Sequence, residues 1–207
     1  MAEGKYIVIE GSDGTGKSTQ VELLATYLQT KHIESFVMHE PAGTPISDAI
    51  RKVIKDGGLE RDGLTNLLLF TAARHENWRI ASKMLKEGIW IISARNYIST
   101  EVYQGYAEGI DIHKIHEITH EYTDERYMTP DASIILTLDA TSRKKRIEER
   151  GAVTHKDTFE SRNDDFQEKL DRGYKEIAEK YGFETIDANQ SIDAIQRHIC
   201  NIIEALN

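Results

Sequence analysis

Two stretches of this chain place reactive residue types at spacings that particular chemistries require. Gly11-Ser12-Asp13-Gly14-Thr15-Gly16-Lys17-Ser18 has the form G-x-x-x-x-G-K-[ST]. In that pattern the glycines let backbone N–H groups turn inward around phosphate oxygens. The following helix N-terminus adds a favourable dipole, Lys17 reaches the β- and γ-phosphates, and Ser18 offers a hydroxyl to magnesium. A glycine-rich turn ahead of a helix is the simpler alternative, but the flanks supply the context the chemistry needs. The apolar run Tyr6–Ile9 precedes the loop, and Val21, Leu24 and Leu28 follow at helical spacing. The second stretch, His116-Glu117-Ile118-Thr119-His120, reads H-E-x-x-H, a zinc-hydrolase pattern. Two histidines do not make a catalytic zinc site without a third protein ligand. In a chain with 8 histidines this pattern is read as a solvated helix face.

The elements that must position the loop follow from the apolar pattern. Short β-branched runs occur at Tyr6–Ile9, Ser35–Met38, Ile89–Ile92, Ser133–Leu138 and Glu184–Ile186, separated by stretches of helical period. Several of these runs are continuously apolar, which predicts strands covered on both faces: a five-stranded parallel sheet flanked by helices. Ligands of such sheets sit beyond the carboxyl ends of the strands. That directs attention to Glu10–Thr19, His39–Thr44, Ser93–Tyr97 and Asp139–Thr141.

Length and composition bound the reading. The 207 residues suit one α/β domain. No apolar run approaches the roughly 20 residues that span a bilayer, and the first residues lack a leader pattern, so a soluble, cytoplasmic protein is expected. The net charge of -9 opposes non-specific nucleic-acid binding, which draws on many Lys and Arg contacts. The single cysteine, Cys200, lies in a helical apolar pattern and reads as a small buried hydrophobe.

Over nearly its whole length the chain resembles the bacterial-type thymidylate kinases. Four segments carry the likeness: Ile9 to Thr19, with its acidic Asp13; Glu40-Pro41-Ala42-Gly43-Thr44 followed by Arg51; Leu68 to Arg74 together with Ser93 to Thr100 and Tyr103-Gln104-Gly105; and Leu136 to Thr141 with Arg146, Arg150 and Gly151. The resemblance implies a P-loop kinase three-layer sandwich that moves the γ-phosphoryl group of ATP, with Mg2+, onto thymidine monophosphate. It also implies a homodimer and a mobile lid at about 150–162.

The resemblance implies site roles as well. Gly11, Ser12, Asp13, Gly14, Thr15, Gly16, Lys17, Ser18 and Thr19, with Arg146 and Arg150, would hold ATP, and Ser18 the metal. Lys17, Arg95 and Asp13 would be catalytic. Pro41, Arg51, Thr100, Tyr103 and Gln104 would join Asp13, Arg95, Phe70 and Arg74 around the acceptor, with Phe70 stacking on the base and Arg74 donating to a base carbonyl. From pattern alone Phe70 favours core packing, because it ends the run Leu67-Leu68-Leu69, and a lone arginine is more often a surface ion-pair partner. The apolar positions Leu67, Trp78 and Ile80 are expected on the surface, where a second copy could cover them.

Four positions depart from the family's pattern, the first being His39 ahead of Glu40. Thr158 stands in Asp157-Thr158-Phe159-Glu160 where such kinases commonly carry a lid arginine, and Gly14 stands where the other subtype carries a loop arginine. Ala94 replaces the aspartate that usually precedes the arginine matching Arg95. Asp13, Glu10 and Asp139 are the nearby candidates to stand in for it near magnesium, and Glu10 is the expected choice.

Overall fold

The protein is described from a computed structural model, which covers residues 3–149, 159 and 162–206. In chain order its elements are β1 (Tyr6–Gly11), α1 (Lys17–Thr30), β2 (Ser35–His39), α2 (Pro45–Lys55), α3 (Gly63–Lys86), β3 (Trp90–Ala94), α4 (Tyr97–Thr100), a π-helical turn (Glu101–Ala107), α5 (Ile112–Tyr122), α6 (Glu125–Met128), β4 (Ala132–Thr137), α7 (Ala140–Glu149), α8 (Asp164–Tyr181), β5 (Glu184–Asp187) and α9 (Ile192–Glu204). All five strands are parallel, in the order β2-β3-β1-β4-β5. Five runs of β-branched residues therefore became five strands, with boundaries shifted by no more than two residues.

Successive side chains of a strand point to opposite faces, and β1 uses both. Tyr6 and Val8 enter one apolar layer with Trp78 and Leu85 of α3, Ile91, Ile135, and Leu170 and Ile177 of α8. Ile7 and Ile9 enter the other with Val21 and Leu24 of α1, Ile92, Ile134, and Ile195 and Ile199 of α9. Burial on both faces explains why the strand reads as continuously apolar, and it makes the sheet the middle of three layers. Leu67 and Trp78, expected on the surface, belong to the core at 0% and 3% exposure. The apolar residues of α2 and α3 that do face outward are Ile46, Val53, Leu64 and Leu68, and Ile80 is half-buried. The 24-residue α3 is apolar over more than one face, so its sequence does not reveal which stripe the sheet claims. Among the described residues no helix is long and apolar enough to cross a membrane.

Local signals set the helices that frame the site. Thr44 and Ser47 form a reciprocal capping box at the start of α2, with Pro45 in its first turn. The start of α1 has no side-chain cap. Its N-cap is Gly16 in a left-handed conformation, which leaves the backbone donors of the helix facing the loop.

Gly11 ends β1 with φ 140, and a Cβ there would lie 2.3 Å from the Leu136 carbonyl oxygen of β4. Both the left-handed backbone and the close approach to the neighbouring strand require glycine. Gly11→Ala should therefore lower unfolding stability by at least about 2 kcal/mol, measured by urea denaturation. Unchanged stability would mean the β1–β4 junction relaxes freely.

Candidate active site

Beyond the carboxyl ends of β1, β3 and β2 lies a cavity of about 630 Å³. Its walls come from the phosphate loop and the start of α1 (Asp13, Gly14, Gly16, Lys17, Ser18, Thr19), the turn after β2 (Pro41), α2 (Arg51), α3 (Phe70, Arg74), the β3–α4 turn (Arg95, Thr100), the π-helical turn (Tyr103, Gln104) and α7 (Arg146). Fifteen residues singled out in the sequence thus meet around one space. Gly11, Ser12 and Thr15 do not line it. Ser12 instead donates its hydroxyl to Asp171 of α8 at 2.9 Å, and Thr15 donates to the Ser12 carbonyl at 2.9 Å. These residues hold the loop in shape from behind. Arg150 and Thr158, and with them most of the expected lid, lie outside the described residues.

Lys17 is folded back onto its own loop, donating from Nζ to the carbonyls of Gly11 at 2.7 Å and Ser12 at 2.8 Å. The residue is only 7% exposed and belongs to a loop of the kind whose N–H groups receive phosphate. Arg146 braces the loop from α7, donating to the Gly14 carbonyl at 3.4 Å and to that of Ala188 at 2.7 Å.

Arg95 joins the phosphate loop to α4 and α8. Its backbone is left-handed, φ 76, a conformation costing a non-glycine residue about 1 kcal/mol or more. Its N–H donates to the Ile9 carbonyl at 3.1 Å, which holds the turn against β1. The guanidinium donates to Asp13 at 2.7 Å, Ser99 at 2.8 Å and Tyr174 at 3.2 Å, and lies 5.5 Å from the centre of the Tyr103 ring. Burial alone would push the Asp13 carboxyl up, but Arg95 and then Lys17 outweigh it and hold Asp13 well below the usual carboxylate range. Tyr103 donates to the same carboxylate at 3.4 Å, and its phenol is pushed up by burial and by Asp13.

Glu10 does not do what was expected of it. Its carboxylate is fully buried and accepts from the backbone N–H groups of Asn96 at 2.8 Å and Ser99 at 3.1 Å, from the Ser99 hydroxyl at 2.8 Å, and from Tyr174 at 3.0 Å. It is absent from the cavity wall. Asp139 is no substitute, because it is occupied as a helix cap, accepting from the Ser142 N–H at 2.9 Å. Ala94 does line the cavity, at 4% exposure. Of the three acids named, only Asp13 reaches the cavity, and Arg95 engages it. The strand pattern placed Glu10 at the right end of β1 but carried no information about which way its side chain turns.

The other half of the cavity is aromatic. Phe70 is half-buried on the cavity wall, with the Phe159 ring 6.1 Å away, and Tyr103 meets Phe159 edge-on at 5.4 Å. The pattern that pointed Phe70 to the core was therefore half right, since it packs from one side and faces the cavity from the other. Tyr103 and Gln104 ride on a π-helical turn, a distortion frequent at functional sites, and nothing in the sequence period marks it. Glu40, Ser99 and Phe159 also line the cavity without having been assigned roles. The segments containing Glu40 and Phe159 were noticed, but only as matches.

The H-E-x-x-H residues lie on α5. His116 pairs with the buried Glu101, and His120 pairs with Glu125 at 3.4 Å. Burial pushes the Glu101 carboxyl up to about 7. No group of three or more metal-ligating side chains occurs among the described residues.

A phosphate loop feeding a parallel sheet, with arginines and an aromatic wall around the same cavity, defines a P-loop kinase of the class that acts on nucleoside monophosphates. Comparison with known proteins narrows the class. The sequence model of the family described as thymidylate kinase matches residues 9–199. The chain is 34% identical to the thymidylate kinase of Exiguobacterium sibiricum over 95% of its own length and 92% of the relative's. It is 32% identical to that of Caldicellulosiruptor saccharolyticus over 99% and 98%, and 33% identical to that of Dichelobacter nodosus over 98% of each. The protein belongs to the thymidylate kinase family.

The Glu10 network predicts a measurable split. Glu10→Gln removes a charged acceptor of two backbone N–H groups and loosens the turn carrying Arg95. We expect a loss of about 2 kcal/mol in stability and a fall in kcat of roughly tenfold or more, with the half-saturating magnesium concentration unchanged. A shifted magnesium dependence would return Glu10 to the metal.

Proposed function

We propose that this protein transfers the γ-phosphoryl group of ATP to thymidine monophosphate, giving ADP and thymidine diphosphate. The observation that carries this reading is that one cavity holds both the loop with Lys17 and Ser18 and the pair Phe70 and Arg74, linked through Asp13 and Arg95. An aromatic face and a fixed guanidinium suit a flat base with carbonyl oxygens, and the cations between them suit two phosphates brought together.

Phosphoryl transfer asks for positioning and charge neutralisation rather than a protein nucleophile. The second pKa of a phosphate monoester is about 6, so at neutral pH the attacking oxygen is already ionised and needs no general base. That oxygen forms the new bond to the γ-phosphorus as the bond to the bridging oxygen breaks, and the electron pair leaves with ADP. Lys17, turning from the carbonyls of Gly11 and Ser12 to phosphate oxygens, stabilises charge on the transferred group. Arg95, fixed by Asp13, Ser99 and Tyr174, and Arg51, projecting from α2 into the same cavity, hold the acceptor phosphate against the donor.

The donor set also fits magnesium. Ser18 faces the cavity and provides a hard oxygen, and magnesium commonly takes few protein ligands beside phosphate oxygens and water. When bound, the ion neutralises charge on the β- and γ-phosphates. With alanine at position 94, the protein's part in holding it falls chiefly to Ser18.

The assembly proposed is a homodimer formed through the outward apolar residues of α2 and α3, Ile46, Val53, Leu64 and Leu68. Family membership and the adjacency of these exposed side chains support it. Sedimentation at micromolar concentration should give twice the chain mass of 23.6 kDa, and Leu68→Glu should reduce it to one. A monomeric parent protein would refute the assembly.

Turnover of a panel of monophosphates with magnesium-ATP tests the reaction. Thymidine monophosphate should be converted at a rate of about 1 per second or faster and with the highest kcat/KM. Preferred conversion of cytidine or adenosine monophosphate would refute the base assignment, and ATP binding without transfer to any acceptor would refute the activity.

A further inference from the structure

Arg74 is the largest fully buried side chain among the described residues, and its bonds are unevenly distributed. The Nε–H donates to the Tyr127 hydroxyl at 2.8 Å and to Glu40 Oε2 at 3.2 Å, while Nη2 donates to the Thr100 hydroxyl at 2.8 Å. The Tyr127 hydroxyl in turn donates to Glu40 Oε1 at 2.7 Å. Nη1 is buried and has no hydrogen-bond partner among the described residues, although the residue lines the cavity. A buried donor without a partner costs free energy. Here the guanidinium is bonded through Nε and Nη2, which leaves Nη1 as the donor still without a partner on a residue that lines the cavity.

Tyr127 comes from α6, a four-residue helix far from the phosphate loop in sequence. It is fully buried, with Trp78 edge-on at 5.0 Å, Tyr6 at 5.9 Å and Tyr97 at 6.1 Å, so the ring cannot turn its hydroxyl away. The guanidinium also lies 5.8 Å from the ring centre. Burial pushes the phenol far up, so it stays a neutral donor, and Glu40 is likewise raised by burial, with Arg74 opposing the rise.

We propose that Tyr127, acting with Glu40, is a specificity-determining positioning residue, which locks the plane of Arg74 so that its free edge accepts only a base with a carbonyl oxygen at the facing position. The proposal rests on the reading of a thymine-bearing acceptor given above. An arginine donates at every nitrogen and accepts at none. A guanidinium held rigid therefore pairs with the 4-carbonyl of thymine and leaves the 4-amino group of cytosine opposed donor to donor. If the anchor is removed, the fork can tilt aside, and the penalty against the amino group falls together with the bonding to the carbonyl. A rigid donor discriminates because the wrong partner cannot be accommodated by rotation.

Tyr127→Phe keeps the ring packing and removes only the hydroxyl. We expect KM for thymidine monophosphate to rise about tenfold, with KM for ATP unchanged and kcat within about twofold. The ratio of kcat/KM for thymidine over deoxycytidine monophosphate should fall about tenfold. Glu40→Gln retains an oxygen for the tyrosine hydroxyl but weakens the hold on Nε, and it should give a smaller change of the same sign. If Tyr127→Phe melts like the parent and its discrimination ratio and acceptor KM are unchanged, the proposal is overturned. An equal rise in KM for both ATP and acceptor would overturn it too, as that is the signature of general loosening. Should the phenylalanine variant fail to fold, an unchanged ratio in Glu40→Gln decides against the proposal. A parent protein that does not prefer thymidine monophosphate fails in the panel of acceptors first, so the two failures are told apart.

Discussion

The site depends on one buried carboxylate. Glu10 ends the central strand, and its two oxygens take the backbone N–H groups of Asn96 and Ser99, the Ser99 hydroxyl and the Tyr174 hydroxyl. A buried charge is tolerated only when its hydrogen-bonding capacity is met, and here the donors come from the β3–α4 turn and from α8. Meeting that demand brings β1, β3 and α8 to one point. The turn that carries Arg95 is placed as a by-product.

From that point the network runs outward through charges of alternating sign. Ser99 and Tyr174, held by Glu10, receive the Arg95 guanidinium, and Arg95 in turn holds Asp13 ionised beside Lys17. Arg95 is thus held by an acid beside it, whereas Lys17 rests on the carbonyls of its own loop. Glu40 holds Arg74 as Asp13 holds Arg95. The protein carries a strongly negative net charge and still presents a cationic cavity, because several of its acids are spent as supports for the arginines.

Two helices reach across to the loop as well. Asp171 of α8 accepts from both the Ser12 hydroxyl and Arg143 of α7, at 2.9 Å and 2.6 Å. The helices on either side of residues 150–163 are therefore tied to each other and to the phosphate loop by a single carboxylate.

What the sequence determined by itself is what local and periodic physics dictates. The G-x-x-x-x-G-K-[ST] spacing and the five strand runs, several of them continuously apolar, follow from backbone geometry and burial on two faces, and both were legible without coordinates. The cavity residues carried by motifs, from Asp13 to Gln104, were legible for the same reason. Side-chain direction was not. Glu10 reads as an acid next to the loop, yet it turns inward because two backbone N–H groups more than eighty residues away need an acceptor. Leu67 and Trp78 read as surface positions on α3, yet they are core because the sheet claims that stripe and leaves Leu64 and Leu68 outside. Tyr127 carried no signal at all. Its meaning lies in a hydroxyl between Arg74 and Glu40, residues 53 and 87 positions away, and only the tertiary structure brings such partners within reach, since hydrogen bonds are read in ångströms and not in sequence separation.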